Sequence, residues 1–340
     1  MLKRKNMKRL ISLFVAAILT LTSLAILPSC TNKKDLEVVG TVGEYEVHYE
    51  ELRWLTMQFK DRLSETYGED IWDTGESAEK YRAELEAAVY SSIISNYAIL
   101  TLCDELSANG EKFIDINGEQ ETAIIDQYID ETIDEFGSRA AYRQGLKENY
   151  LTENLYRFIT GVDVCEGILF NYYCSLGLIE DYDYDAIMNG IEESFIRTVH
   201  VYVEHDEGES VEDNRALANA IHQKLLAGES MSDLITKYSE DGVMSASTGY
   251  YFTNGTYSET YENAAFALGV GEFSGVVETY SGFYIIQRLE LDSAYLMTNF
   301  NSLKSRYQLS VFDKYIDECK ATLSFVPNEY GASIDLVNMK

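Results

Sequence analysis

Proline is almost missing from this chain of 340 residues, which carries only Pro28 and Pro327. That scarcity excludes proline-rich linkers and polyproline segments. Once the first 29 residues are set aside, a single X-Pro bond remains to slow the chain's own folding. Basic residues are also few: 27 lysines and arginines stand against 57 aspartates and glutamates, a formal net charge of −30. A chain so short of cations cannot release counterions from phosphates, which excludes nucleic-acid partners. The four histidines, His48, His200, His205 and His222, are too scattered to form a metal site, and no other cofactor is called for. His48, His205 and His222 read as surface residues. Beyond Cys30 there are only Cys103, Cys165, Cys174 and Cys319, none with metal-ligand spacing and each inside a helical apolar pattern. Buried free thiols are the expectation, with disulfides, for which four cysteines allow three pairings, as the alternative. Also missing is the regular alternation of strand and helix that the lobes of a solute-binding lipoprotein need.

What is present begins with a leader. Lys3, Arg4, Lys5, Lys8 and Arg9 form a positive region, Leu10 to Leu27 is apolar, and Leu27, Pro28, Ser29 and Cys30 follow. A small residue just before a cysteine at this place resembles a bacterial lipobox. The resemblance implies cleavage before Cys30 and a diacylglyceryl thioether on its sulfur. The alternatives are a plain signal peptide or an uncleaved anchor. The apolar run is short for a spanning helix, and no second stretch is long and uncharged enough to span. Several acyl chains on one residue exceed the marginal hold of a single chain, so the mature protein is expected to stay lipid-anchored on the extracytoplasmic face of a bacterial cell membrane. Removal of the leader leaves 22 basic residues against 57 acidic ones. Such acidity keeps a surface solvated; its sharper reading is a wall that attracts basic, unfolded chains.

The remaining length allows two or three domains. Residues 30–37 read as a tether. Val38 to His48 alternates around a Gly-Glu turn as a hairpin, and Leu52, Leu55, Phe59 and Leu63 then share one helical stripe. The spacing predicts a long helix over 77–109, with Leu85, Val89, Ile93, Ile94, Tyr97 and Leu100 recurring at helical steps and Asn109-Gly110 as its stop. Another helix spans 119–136. Ser138 and Thr152 stand as N-caps before two further periodic runs. Residues 180–185, dense in charge, read as a linker or hinge, with the first strand of a second domain over 191–204. Helices follow over 210–228 and 231–238, and a last long helix runs from Ser293 to about Pro327.

The stretch from His200 to Arg288 carries the strongest motifs. An apolar strand through Phe195 and His200 is followed in order by Tyr238-Ser-Glu-Asp241, Gly249-Tyr-Tyr-Phe252, Ala265-Phe-Ala-Leu-Gly and Ser281-Gly-Phe-Tyr284-Ile-Ile. This order resembles a parvulin-type peptidyl-prolyl isomerase domain. The hairpin feeding an acidic first helical turn, and the Phe-Gly-Ser start at 136–138, resemble the helical chaperone domains of PrsA/SurA-like extracytoplasmic foldases.

The resemblance implies an α+β architecture. A discontinuous all-helical chaperone domain, built from residues 38–190 and a returning segment at 293–340, would hold an inserted parvulin-like domain over 193–292, with an antiparallel sheet and surrounding helices. It also implies a polar catalytic floor at His200, Asp241, Thr279, Ser281 and Tyr284, and a substrate socket at Tyr257 and Tyr261 with Phe252 close by. The chemistry needs no nucleophile or metal. Rotation about X-Pro faces a barrier of roughly 18 to 20 kcal/mol from amide resonance, and a catalyst needs only an apolar hold on the ring and a polar floor that favours the twisted amide. Two departures stand out. Tyr284 occupies the position of the family's second histidine, and tyrosine supplies a hydrogen bond but no imidazole. The paired glycine before the second strand is reduced to Gly249. The expected partners are unfolded secreted proteins, and the helical domain leaves room for a homodimer. A non-catalytic holdase that keeps the parvulin fold as a binding module is the alternative.

Overall fold

In this computed structural model the described residues are 33–73, 76–106, 113–205 and 210–340. The leader 1–29, Cys30 and the Asn109-Gly110 stop lie outside them. The chain divides into two compact units, one made of residues up to Arg62, Ile71–Leu176 and Tyr315–Lys340, the other of Leu63–Asp70 and Gly177–Lys314.

In the first unit, β1 (Val38–Val42) and β2 (Tyr45–His48) form the hairpin, and a third strand, β7 (Phe325–Pro327), pairs with the other edge of β1. Gly40 stands opposite Pro327. Proline is tolerated there because β7 is an edge strand, with no neighbour awaiting its missing N–H. Residues 33–36, expected within a tether, form a 3-10 turn with Asp35 buried. Helix α1 (Tyr49–Tyr67) begins directly after β2, and α2 (Glu76–Glu105) follows it. By length and composition, residues Ala78–Glu105 of α2 could cross a membrane, contrary to the sequence expectation. Yet Leu85, Val89 and Ile93, one stripe of that helix, are fully buried within the unit, as in the core helix of a globular fold. Helices α3 (Glu119–Glu135), α4 (Arg139–Glu148) and α5 (Glu153–Ser175) complete this unit's helical layer. Ser138 Oγ accepts from Ala141 N–H at 3.2 Å and Thr152 Oγ1 from Leu155 N–H at 3.0 Å, so both expected caps are in place. Cys103, Cys165 and Cys319 are buried and Cys174 is half-buried, and no disulfide joins these four.

The second unit opens differently from the sequence expectation. Glu180 Oε1 accepts the backbone N–H groups of Asp181, Tyr182 and Asp183 at 2.8–3.0 Å. Those N–H groups hold its carboxyl below the usual range. Asp183 then caps α6 (Tyr184–Ser194). The strand therefore starts at Ile196 rather than Ile191, because Ile187 and Ile191 form the buried face of α6. The long terminal helix is likewise two: α10 (Ser293–Thr298), capped by Asp292, and α11 (Phe300–Lys320), separated at Asn299 where the backbone leaves helical angles.

Between them lies an antiparallel sheet of order β4-β3-β6-β5, formed by β3 (Ile196–Glu204), β4 (Tyr250–Phe252), β5 (Val277–Thr279) and β6 (Gly282–Leu289). The period of two along β3 sorts its side chains. Val199, Val201 and Val203 pack with Ile221 of α7 (Val211–Leu226) and Leu234 of α8 (Met231–Tyr238). Ile196 faces the opposite cluster, with Tyr261 and Ala265 of α9 (Glu259–Phe266). His200 is on the same face as Ile196, paired in register with Ile286. Gly249 has φ +68°, and a Cβ there would lie 2.3 Å from the carbonyl of Thr198. Only glycine meets both demands at this entry to β4.

Candidate active site

His200 sits in the middle of β3, 4% exposed, so its ring nitrogens must find partners inside the protein. Nε2 lies 3.1 Å from Asp241 Oδ2 and Nδ1 lies 2.9 Å from the Tyr261 hydroxyl. Asp241 follows α8 in a loop that its own carboxylate shapes: Oδ1 accepts from Val243 N–H at 3.0 Å and Met244 N–H at 3.1 Å. The hydrogen bond from His200, then those backbone groups and the Tyr250 hydroxyl, hold its carboxyl far below the usual range against the opposing effect of burial. In the tautomer with its proton on Nε2, His200 donates to the Asp241 carboxylate and accepts from the Tyr261 hydroxyl at Nδ1. Tyr261 in turn lies 3.1 Å from Thr198 Oγ1. One network thus runs Tyr250, Asp241, His200, Tyr261, Thr198.

A second network consists of hydroxyls alone. Thr279 Oγ1 lies 3.1 Å from Ser281 Oγ, which lies 3.2 Å from the Tyr284 hydroxyl. Thr279 also donates to the Gly282 carbonyl at 3.0 Å. Tyr202 stacks on Tyr284 with ring centroids 4.6 Å apart and donates to the Ser281 carbonyl at 2.6 Å. The two networks meet at Tyr284, whose ring stands edge-on to His200 at 5.0 Å and to Tyr261 at 5.1 Å.

The aromatic wall is built from α9 and the loop before it. Tyr257 and Tyr261 have centroids 5.2 Å apart, Tyr261 and Tyr284 5.1 Å, and Phe252 lies 4.9 Å from Tyr257. Tyr261 and Phe252 are buried, while Tyr257 is 39% exposed. Burial pushes the Tyr257 phenol up to about 12, so it stays a neutral donor. Of the three residues expected to hold substrate, Tyr257 is the one open to solvent. Phe252 backs it from within the core, and Tyr261 divides its ring between the wall and its hydroxyl between His200 and Thr198.

The structure therefore brings His200, Asp241, Tyr261, Tyr284, Ser281 and Thr279 into one region of the sheet face. Tyr250, absent from the sequence expectation, donates to Asp241 at 2.9 Å. Its signal was available, since strand alternation puts Tyr250 on the same face as Phe252. His205, expected at the surface, is half-buried edge-on to Phe283 at 5.0 Å, and burial lowers its pKa. Among the described residues no group of three His, Cys, Asp or Glu side chains is placed to hold a metal ion.

A four-stranded antiparallel sheet flanked by helices, with a histidine–carboxylate pair under an aromatic wall, defines a parvulin-type domain, and the PPIC-type PPIase domain profile matches residues 189–291. The foldase protein PrsA of Caldanaerobacter subterraneus subsp. tengcongensis is 26% identical over 291 residues, covering 83% of this chain and 82% of that protein. The peptidyl-prolyl cis-trans isomerase pin1 of Schizosaccharomyces pombe is 41% identical over 109 residues, 27% of this chain and 61% of that protein. Among solved structures, the peptidylprolyl isomerase PrsA of Bacillus anthracis matches at 17% identity and a TM-score of 0.32, over 68% of this chain and 95% of that one. Residues 189–291 thus form a parvulin-type domain, and the chain over most of its length is similar to PrsA foldases.

Proposed function

We propose that this protein is a lipid-anchored foldase on the extracytoplasmic face of a bacterial membrane, holding unfolded secreted chains with its helical domain and isomerising their X-Pro bonds in the parvulin domain. The arrangement that carries this reading is the ionised Asp241 hydrogen-bonded to His200, whose ring adjoins Tyr261, itself packed on the half-exposed Tyr257. A proline ring placed against Tyr257 and Tyr261 brings its amide over a floor of fixed dipoles. Twisting that amide localises charge on the carbonyl oxygen and the lone pair on nitrogen. The hydroxyls of Tyr284 and Ser281 are donors for those atoms, preorganised by their own contacts and so needing little reorganisation at the moment of rotation. Asp241 fixes the tautomer and orientation of His200, and the twisted state is favoured over the planar one without any covalent step. Cys30 would carry the lipid, the first unit would be the client-holding domain, and the second unit, which contains 193–292, would be the isomerase domain.

A protease-coupled assay on a short X-Pro peptide tests the enzyme reading. The wild type should accelerate isomerisation and His200→Ala should lose most of that acceleration; a wild-type rate equal to the uncatalysed one removes the reading. One observation favours a second reading, a holdase with a parvulin module: Tyr284 stands where the family's second imidazole would be and directs its hydroxyl to Ser281 rather than to His200. Suppression of aggregation of a reduced, unfolded client without isomerisation would establish that reading instead.

A further inference from the structure

The loop that carries Tyr257 is held by a single carboxylate. Glu262 is 8% exposed. Its Oε1 accepts from the backbone N–H of Thr256 and of Tyr257, each at 2.7 Å, and its Oε2 accepts from Gly255 N–H at 2.9 Å. Among the described residues no lysine or arginine pairs with it, so these three peptide dipoles are what offset its charge in a buried place. Charge-assisted bonds of this length are the strong ones, and a buried carboxylate without them carries a large desolvation cost. Gly255 takes φ +83°, and Thr256 contributes one side-chain bond, to the Thr253 carbonyl at 2.7 Å.

The chain position of Glu262 matters as much as its contacts. It follows Tyr261 directly on α9, so one turn of helix sends the Tyr261 hydroxyl to His200 and the Glu262 carboxylate to the Tyr257 loop. The 5.2 Å separation of the two rings is then set by a rigid element rather than by the loop. We propose that Glu262 is a positioning residue of the prolyl socket, clamping Gly255–Tyr257 so that the ring of Tyr257 closes the socket over substrate. Glu262 itself touches no substrate. The proposal rests on the parvulin domain being a prolyl-binding site, and it goes beyond that reading by naming what holds the socket closed.

The test uses the full chain as wild type, Glu262→Ala and Glu262→Gln. Three quantities are read: hydrogen–deuterium exchange over 253–258, calorimetric affinity for a short X-Pro peptide, and isomerisation rate. Glu262→Ala should expose the three amides to exchange and weaken peptide affinity by roughly five- to tenfold, the scale of a lost preorganised contact surface. Where turnover is measurable, the change should fall on KM, with kcat within about twofold because the His200–Asp241 floor is untouched. Glu262→Gln keeps an oxygen for Thr256 and Tyr257 and turns an amide toward Gly255, so it should lie between the other two, and it replaces the alanine variant if that one fails to fold. Unchanged exchange at 255–257 overturns the clamp, and lost protection with unchanged affinity overturns its role in the socket. A wild type without turnover, but with affinity that falls in the variants, supports the clamp while removing the enzyme reading.

Discussion

The rings of His200 and Tyr284 meet edge to face at 5.0 Å with an interplanar angle of 88°, and their hydrogen bonds go elsewhere, to Asp241 and Tyr261 for the histidine and to Ser281 for the tyrosine. The polar floor is consequently two networks side by side. One contains a carboxylate and an imidazole, the other only hydroxyls. Substitutions in the two should therefore have different signatures.

Asp241→Asn keeps an oxygen for the N–H groups of Val243 and Met244, so the loop should hold its shape. It removes the charge that accepts the hydrogen bond from His200. A hydrogen bond to a charged group is worth about 1.5–3 kcal/mol, which predicts a loss of roughly ten- to hundredfold in kcat/KM. Peptide isomerisation kinetics beside a thermal melt unchanged within a few degrees would check both halves.

Tyr284→Phe keeps the stack on Tyr202 and deletes the hydroxyl bonded to Ser281. The loss of one neutral hydrogen bond, about 1 kcal/mol, predicts a fall of roughly fivefold in kcat. Client aggregation assays should show no change. Equal kcat in the two proteins would mean that the hydroxyl network does not act on the twisted amide.

Glu51 predicts a pH dependence in the first unit. It is 2% exposed, and burial pushes its carboxyl up to about 7, against the bonds from Asn96 and Tyr97 that favour the charged form. A carboxyl whose folded pKa is raised binds its proton more tightly in the folded than in the unfolded chain. Its contribution to stability is full below about 4.5, fades as pH rises, and is gone above about 7. The difference is on the order of 3 kcal/mol. Chemical denaturation between pH 4.5 and 8 should show wild-type stability declining with pH more steeply than that of Glu51→Gln.

Thr152 caps α5 and also donates to Glu50 of α1. Thr152→Ala should cost about 1–2 kcal/mol, a lost cap together with a buried carboxylate short of one donor. Thr152→Ser should recover most of it. Urea midpoints of the three proteins decide the matter, and equal midpoints would show that the cap contributes nothing.

Local chemistry explains what could be read without coordinates. Ser138 and Thr152 were recognisable as caps, and 231–238 as a helix, because these depend on neighbours within one turn. The strand through His200 and the order of motifs from Asp241 to Tyr284 were legible because the parvulin pattern is a spaced set of short segments. The boundary at Ile191 was misplaced because its apolar face fits helix and strand equally well; only packing of Ile187 and Ile191 on one side of α6 decides between them.

By itself, then, the sequence determined which residues could form a floor and a socket: a histidine in a buried strand, an aspartate after a helix, hydroxyls in the last hairpin and tyrosines before and within α9. The tertiary structure decided how they connect. Whether Tyr284 bonds to His200 or to Ser281, whether Phe252 faces solvent or the core, and whether β7 crosses to β1 from nearly 300 residues away all depend on side-chain and strand positions set by distant packing. Hydrogen bonds are short and directional, so a shift of one register position, which turns every side chain to the opposite face of a strand, changes the partner entirely. That is why the same pattern of residues leaves two networks open in sequence, and the fold closes them into one around Asp241 and another around Ser281.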